Sequence, residues 1–235
     1  MKIPASPEVE IREVSSADEL LAARRFHGHS YLDAGYVGQL SAEGVVDDPW
    51  VDHSKYFVAV HTERDAIVGV CRFILNSPAS FPIFNEFELA PEWQRRFSAD
   101  VLENSYEVSA LAAGGGLQHS LVAGLFYRQT VRYSTHNPES SHLLAAMDYR
   151  LLRLLRRWMH LPFHQIGEPR QYMGSKTVPV YGFMPELIAS VAAHDEAEAE
   201  YLMDGRSFDE IGDLVIDLRE SAVSITEPAP EVESA

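Results

Sequence analysis

The sequence predicts one α/β (α+β) domain built on a mixed β-sheet. The 235 residues, 46% of them hydrophobic, suit a single domain with a substantial core. Strand patterns outnumber helix patterns, in the order β-α-β-β-β-α-β-α-β-β. The consecutive strands in the middle exclude the strict alternation of a doubly wound fold, so we expect antiparallel strands early and βα crossovers late.

The chain begins with a strand and a capped helix. Residues 8–14 alternate apolar and polar side chains, as a half-buried strand does. Ser16 and Glu19 have the spacing of a capping box, which predicts that a helix begins here. Gly35 or Gly38 should end that helix, because glycine adopts the left-handed conformation of a helix C-terminus.

A hairpin, a strand and a helix should follow. Residues 55–61 and 66–75 are β-rich and joined by a polar turn, which predicts a hairpin. Residues 76–100 contain several prolines, and we expect irregular structure with one short helix there. Residues 103–113 predict a strand, and the apolar stripe over residues 118–134 predicts a helix.

The last third of the domain should alternate strands and helices. Residues 142–147 predict a short buried strand, and residues 148–160 predict an amphipathic helix that Asp148 begins. Residues 162–167 and 175–183 predict two more strands, and residues 184–203 predict a late helix.

Charge divides the chain into a domain and an acidic extension. The net charge is −16, and residues 183–235 hold 14 acidic and 2 basic residues. We therefore place the domain at residues 1–205 and an acidic extension at 206–235, with the last fifteen residues disordered. Residues 128–182 are basic, with 8 bases and 3 acids. The net negative charge of the whole chain nevertheless excludes an indiscriminate nucleic-acid binder, which needs a basic footprint.

Other compositional features predict a cytoplasmic protein. Cys71 is the single cysteine, so we expect no disulfide framework. No apolar run approaches the ~20 residues that cross a bilayer, so we expect no membrane span. The N-terminal residues lack the apolar core of a secretory signal.

Several common chemistries lack their motifs. Neither GxxxxGK[ST], a strand-linked GxGxxG, HExxH nor GxSxG occurs. The run Gly114–Gly116 either presents N–H groups to a phosphate or is a flexible turn. His27 and His29 point to different helix faces and His53 is distant in sequence, so we predict no metal site. Cys71 lies within a strand, where a small buried side chain is expected.

Five charged residues remain as candidates for chemistry. Arg25 lies on the first helix, Asp48 and Asp52 in the following loop, and Arg72 and Glu107 in apolar strands. Burying such charges is costly unless they pair, so a mutual network is expected. A structural ion-pair cluster and ordinary solvent-facing positions are the alternatives to a catalytic site.

Short motifs that include these residues resemble a known family. Arg25, DDPWVD (47–52), VGVCRF (68–73), YEVSALAA (106–113) and the segment 161–181 resemble the LuxI-type autoinducer synthases and, more closely, the N-acyl amino acid synthases of the FeeM type. The resemblance spans roughly residues 12 to 190. It implies a GNAT-like fold, with a mixed sheet splayed in its middle and helices on both faces.

The resemblance also implies an activity. Such an enzyme moves a long-chain fatty acyl group from an acyl carrier protein thioester to the amino group of an amino acid or similar small amine. It implies no tightly bound cofactor, because the acyl-phosphopantetheine thioester, carried by the carrier protein or by coenzyme A, is a co-substrate. A GNAT enzyme using a coenzyme A thioester and a non-catalytic acyl-binding sensor are the alternatives.

Individual roles follow from the resemblance. Glu107 matches the family's strand glutamate and would take the proton of the attacking amine. The position where LuxI-type enzymes carry an arginine is Ala110 here, which weakens any claim to S-adenosylmethionine as substrate. The substrate-binding set is Arg25, Asp48, Trp50, Asp52 and Arg72.

Two further sets concern the acyl donor. Small side chains after Glu107 should leave room for a pantetheine arm, and apolar residues of the next helix either line an acyl tunnel or pack in the core. This acyl and pantetheine set is Ser109, Ala110, Leu111, Ala112, Ala113, Leu125 and Phe126. An acidic carrier protein needs a local basic patch, although helix arginines also serve solubility. The proposed docking set is Arg128, Arg132, Arg150, Arg153 and Arg157.

Overall fold

The computed structural model describes residues 8–75, 81–114 and 118–203. The acidic extension predicted over residues 206–235 and the glycines at 115 and 116 lie outside these described residues. Within them, no helix combines the length and the apolar composition that crossing a membrane requires.

One mixed β-sheet organises the described part of the chain. Its strands are β1 (Val9–Glu13), β2 (Ser54–His61), β3 (Ala66–Ile74), β4 (Ser105–Ala113), β5 (His142–Asp148), β6 (His164–Gln165), β7 (Arg170–Tyr172) and β8 (Ser175–Phe183). The order across the sheet is β1-β2-β3-β4-β5-β8-β6, and β7 also pairs with β8. Only β4 and β5 run parallel among these pairs, which confirms the antiparallel strands predicted early but gives a single one of the βα crossovers predicted late.

The sheet parts between β4 and β5. These strands pair only from Ser105, opposite His142, to Glu107, opposite Leu144. Beyond Glu107, β4 continues to Ala113 against β3, while β5 continues to Asp148 against β8. This centrally splayed sheet with flanking helices is the GNAT-like fold that the family resemblance implies.

Eight helices flank the sheet in the described residues. They are α1 (Ala17–Asp33), α2 (Pro82–Glu86), α3 (Pro91–Gln94), α4 (Ala99–Glu103), α5 (Gln118–His136), α6 (Tyr149–Trp158), α7 (Met184–Ala192) and α8 (Glu196–Leu202). The capping predictions are confirmed, since Ser16 Oγ accepts from the Glu19 N–H at 3.2 Å and Asp148 accepts from the first N–H groups of α6. Gly35, with φ of 72°, follows the end of α1.

Three local predictions need correction. The segment 76–100, predicted as irregular with one short helix, contains α2, α3 and the start of α4 in its described part. The predicted late helix is two helices, because Asp195 caps α8 by accepting from the Glu198 N–H at 3.0 Å. The strand β7 was missed, since three residues are too short to show a period of alternation.

The two faces of the sheet carry different cores. On one face α5 packs on the buried side chains of Cys71, Phe73 and Tyr106. On the other face α1 covers β2 and β3, and the short helices α2 and α3 cover β5 and β8. Val70 and Ile74 belong to this second face, so Arg72 between them points to it as well.

Candidate active site

Glu107 is buried where the sheet parts. It is the last residue of β4 that pairs with β5, and it is 2% exposed. Its carboxyl accepts a hydrogen bond from the N–H of Ile83 in α2, at 3.0 Å. The short helix therefore fixes the carboxyl on the face that α1 and α2 cover.

Burial gives this carboxyl an unusual affinity for protons. The pKa of Glu107 rises from 4.5 to about 8 because burial disfavours the charged form, and the Ile83 N–H and Arg72 offset only part of this. The group therefore changes charge near pH 8. A general base works best when its pKa lies near the working pH, so this carboxyl is suited to take a proton from an amine.

Arg72 and Asp48 form a buried ion pair beside Glu107. Arg72 Nη1 donates to Asp48 Oδ2, and the two side chains are 7% and 9% exposed. Arg72 Nε donates to Ser109 Oγ at 2.8 Å, and Nη1 also reaches the hydroxyl of Tyr56 at 3.5 Å. Burial lowers the pKa of Arg72 to about 10, although Tyr31 and Glu107 favour its charge. Asp48, Arg72 and Glu107, three of the five residues of the expected network, thus lie close together, and Ser109 joins them.

A turn in the loop selects one of the two candidate aspartates. Asp48 Oδ1 accepts from the N–H of Trp50 at 2.9 Å, which is an Asx turn that directs Asp48 inward. Asp52 lies in a single helical turn, Val51–His53, and is exposed. Trp50 is half-buried against the core cluster that includes Ile74. The structure therefore brings Asp48, but not Asp52, to Arg72.

Arg25 does not join the cluster. It is exposed on α1, and its Nε donates to the carbonyl of Glu43 at 2.8 Å. Its neighbour Arg24 lies on the stripe of α1 that faces Arg72, together with His27 and Tyr31. These three residues have the spacing i, i+3, i+7 of one helix face, which is the signal that sequence reasoning missed.

His27 and Tyr31 add uncharged polar groups to the cluster. His27 is 6% exposed, and its pKa falls to about 4 because of burial and then of Arg72 and Arg24. Its Nε2 has no hydrogen-bond partner among the described residues. The ring of Tyr31 meets His27 edge-on at 4.1 Å, and burial raises the pKa of Tyr31 to about 12.

Further tyrosines surround the ion pair. Tyr36 packs edge-on against Tyr31 at 5.3 Å, and the guanidinium of Arg72 lies 5.9 Å from the centroid of the Tyr56 ring. Burial raises the pKa of Tyr172 in β7, with Glu86 and Glu107 adding to the effect. The carboxyl of Glu107 and the ion pair thus lie among aromatic side chains that are largely uncharged.

A β-bulge interrupts β4 directly after the site. Val70 pairs with Ala112 but Arg72 pairs with Ser109, so β4 carries one residue more than β3 here. Ala110 has a φ of 50°, in the left-handed region. Beyond Glu107 the β4 edge that faced β5 has no strand partner in the described residues. Backbone N–H groups at this edge are suited to hold a developing oxyanion.

The predicted acyl-contact residues divide between surface and core. Leu111 is 43% exposed at the bulge, whereas Ala112 is buried beneath α1 and Ala113 packs against the α5 core. Leu125 and Phe126 lie in that same core, on the sheet face opposite to Glu107. Their position matches the core-packing alternative.

The arginines predicted to dock the carrier protein also differ in their exposure. Arg128 Nε donates to the carbonyl of Tyr201 at 2.8 Å, and its guanidinium lies 4.1 Å from that ring centroid. Arg132 is half-buried on α5. Only the α6 members, Arg150, Arg153 and Arg157, are exposed.

The histidines considered for a metal do not converge. His27 is buried, whereas His29 is exposed on the same helix. Among residues 8–75, 81–114 and 118–203, no group of three His, Cys, Asp or Glu side chains is arranged to hold a metal ion. Gly114, at the start of the glycine run, donates its N–H to the carbonyl of Val68 at 2.8 Å.

The fold is that of the GNAT-like acyltransferases, and the family that the chain matches makes it an N-acyltransferase. A family model described as "N-acyl amino acid synthase FeeM" matches residues 22–184 of the chain. The chain therefore belongs to the FeeM family of N-acyl amino acid synthases. A search of curated protein sequences finds no match.

Solved structures support the same fold. FeeM, an N-acyl amino acid synthase from uncultured soil microbes, is 19% identical with a TM-score of 0.56, covering 80% of this chain and 97% of FeeM. The acyl-homoserine lactone synthase LasI is 16% identical with a TM-score of 0.60, covering 85% and 95%. BjaI, a coenzyme A-dependent acyl-homoserine lactone synthase, is 15% identical with a TM-score of 0.60, covering 90% and 99%.

Proposed function

We propose that the protein transfers a fatty acyl group from an acyl carrier protein thioester to the amino group of an amino acid. One observation carries the proposal: Glu107 lies buried at the parting of β4 and β5 with a pKa of about 8. The free amine of an amino acid has a pKa above the ~8 of a peptide N-terminus. A base of matched pKa at the place where two strands part is suited to amide formation from a thioester.

The proposed acyl transfer needs Glu107 as its only side-chain base. The carboxylate of Glu107 takes one proton from the acceptor's ammonium group. The neutral amine then attacks the thioester carbonyl, and a C–N bond forms. Collapse of the tetrahedral intermediate breaks the C–S bond, and the departing thiolate takes the second proton from nitrogen. Holding the amine and the thioester side by side supplies much of the remaining rate.

Backbone groups at the bulge would stabilise the oxyanion. The left-handed Ala110 re-aims the peptide groups of β4 at the place where its edge towards β5 has no strand partner in the described part. N–H groups held in a fixed, poorly solvated position act without reorganising, so they stabilise the transition state more than water does.

Arg72 would bind the acceptor through one nitrogen. Its Nε and Nη1 are engaged with Ser109 and Asp48, so Nη2 remains for the carboxylate of an amino acid. Asp48 and Trp50 belong to the same wall of the site. Arg25 and Asp52 gain no support as substrate ligands from their exposed positions.

Carrier-protein docking would use the exposed arginines of α6. Parallel strands end at the same edge of a sheet, so the carboxyl ends of β4 and β5 mark the edge where the sheet parts. Because α6 begins directly after β5, Arg150 and Arg153 start at that edge. Basic side chains there would attract an acidic carrier. Coenzyme A is the second candidate donor, since the similar structure BjaI is a coenzyme A-dependent enzyme.

An activity assay tests the proposal. Purified protein is incubated with the proteinogenic amino acids and either acyl carrier protein or coenzyme A bearing fatty acyl chains of graded length. Mass spectrometry should detect an N-acyl amino acid, formed faster from the carrier-bound donor. Folded protein that yields no N-acyl product from either donor would contradict the proposal.

A charge-reversal variant tests the docking surface. Arg150→Glu combined with Arg153→Glu should raise KM for the carrier-bound donor and leave KM for the coenzyme A donor unchanged. Arg64→Glu is the matched control, because Arg64 is an exposed arginine in the turn between β2 and β3. Equal effects of the two variants on the carrier-bound donor would refute docking on α6.

A further inference from the structure

The outer face of α6 carries exposed leucines among arginines. Leu151 and Leu154 are 39% and 47% exposed, although Leu152 on the inner face is fully buried. Arg150 and Arg153 flank the two leucines. The helix holds four arginines and no acidic residue. A surface that is both apolar and basic is suited to a partner that is both apolar and acidic.

The chain itself contains a segment of that chemistry. Residues 204–235, outside the described part, hold nine acids and two bases. Apolar residues recur there at intervals of three and four, which is the spacing of one helix face; they are Phe208, Ile211, Val215 and Leu218. Acidic residues lie between them and just after the last one, namely Asp209, Glu210, Asp213, Asp217 and Glu220.

The described fold ends close to α6. Met203 is buried directly after α8. The residues that follow α6 and the residues of α8 line one cavity of about 220 Å³. The rings of His160, just beyond α6, and His194, just before α8, stack with centroids 3.6 Å apart. The described chain thus ends near the C-terminal end of α6.

The extension is long enough to cover the face. A ten-residue helix is about 15 Å long, and an extended chain advances about 3.3 Å per residue. A few residues after Met203 therefore suffice to bring the apolar and acidic positions over Leu151 and Leu154.

We infer that residues 206–223 dock on the outer face of α6, through apolar contacts with Leu151 and Leu154 and ion pairs with Arg150 and Arg153. Docking buries the exposed side chains of Leu151 and Leu154. The acidic residues of the segment also offset the repulsion between the arginines of the helix. Where the proposed function holds, the segment also occupies the surface that the acidic carrier protein needs. It then competes with the carrier and lowers its apparent affinity.

A spin label tests docking without any use of activity. Ser221→Cys in the full-length protein carries a nitroxide, and Cys71 stays unlabelled because it is 1% exposed. Amide NMR signals of Leu151 and Leu154 should broaden, while signals of α1 stay sharp. The broadening should vanish in about 1 M salt, where the Debye length is ~3 Å, and with Arg150→Glu combined with Arg153→Glu.

Two outcomes would overturn the inference. Signals of α6 that broaden no more than those of α1 would show that the segment does not dock there. Labelled protein mixed with unlabelled, isotope-enriched protein would reveal contact with a second copy. Broadening of α6 in that mixture as strong as in the labelled chain would mean that the segment of another molecule covers the face.

Enzyme kinetics test the competition. Asp209→Asn, Asp213→Asn and Asp217→Asn together should lower KM for the carrier-bound donor, by about tenfold if the segment covers roughly nine-tenths of the molecules. KM for the coenzyme A donor should not change. Docking seen by NMR with no product from either donor would refute the proposed function alone, whereas product formation without docking would refute this inference alone.

Discussion

Replacing Glu107 by glutamine should remove a pH-dependent loss of stability. Glutamine keeps the size of the side chain and an oxygen that accepts the Ile83 N–H, but it cannot ionise. The folded protein holds the Glu107 proton with a pKa of about 8, against 4.5 for the ordinary group. Because the folded pKa is the higher one, folding is favoured by the proton that Glu107 binds. This contribution to the unfolding free energy is complete below pH 4.5 and is lost as pH rises through about 8.

The magnitude follows from the pKa difference. One pKa unit corresponds to about 1.4 kcal/mol, and the shift spans more than three units. Between roughly pH 5 and pH 7 the wild-type protein should therefore lose about 2–3 kcal/mol of unfolding free energy relative to Glu107→Gln. Subtracting the unfolding free energy of one protein from that of the other removes the contributions of all other titrating groups, because both proteins share them.

Denaturant unfolding at a series of pH values measures this difference. The stability curves of wild type and Glu107→Gln should converge at the acidic end and separate as pH rises, with glutamine the more stable. Curves that stay parallel from about pH 5 to pH 8 would refute the inference that Glu107 is buried with a raised pKa.

Two further substitution pairs test the geometry of the site. Asp48→Ala leaves Arg72 buried without its partner and should lower the unfolding free energy by about 3–5 kcal/mol, whereas Asp52→Ala, at an exposed position, should change it by less than about 0.5 kcal/mol; equal losses in urea titrations would contradict the assignment of Asp48. Ala110→Gly should raise the unfolding free energy by up to about 1 kcal/mol, because glycine adopts positive φ without strain, whereas Ala112→Gly should lower it by about 0.5–1 kcal/mol. Thermal denaturation compares the two, and a loss in both would contradict the left-handed conformation of Ala110.

Periodicity and capping predict most of the fold. Ser16 and Asp148 begin their helices as the sequence indicates, because a side-chain oxygen next to an apolar stripe determines a local hydrogen bond. Short elements are missed where too few residues reveal a period, as in β7 and the helices around Pro82 and Pro91. The break before α8 depends on the Asp195 side chain, which the acidic composition of that region conceals.

The site is predictable where burial forces charges to pair. Arg72 and Glu107 in apolar strands must find partners, and Asp48 is found with Arg72. The sequence does not determine which of two aspartates four residues apart turns inward, because the choice depends on the ion pair with Arg72, which is distant in the chain. Likewise, which of Arg24 and Arg25 faces Arg72 depends on how α1 is rotated about its axis over the sheet.

The rate of acyl transfer by Glu107→Gln tests the central claim most directly. With carrier-bound donor and the accepted amino acid, the wild-type kcat/KM should rise with pH and level off above about pH 8, where Glu107 is ionised. Glu107→Gln should lower kcat by about 10²–10⁴-fold and abolish this rise. A variant that retains the wild-type rate and pH profile would show that this carboxyl is not the base.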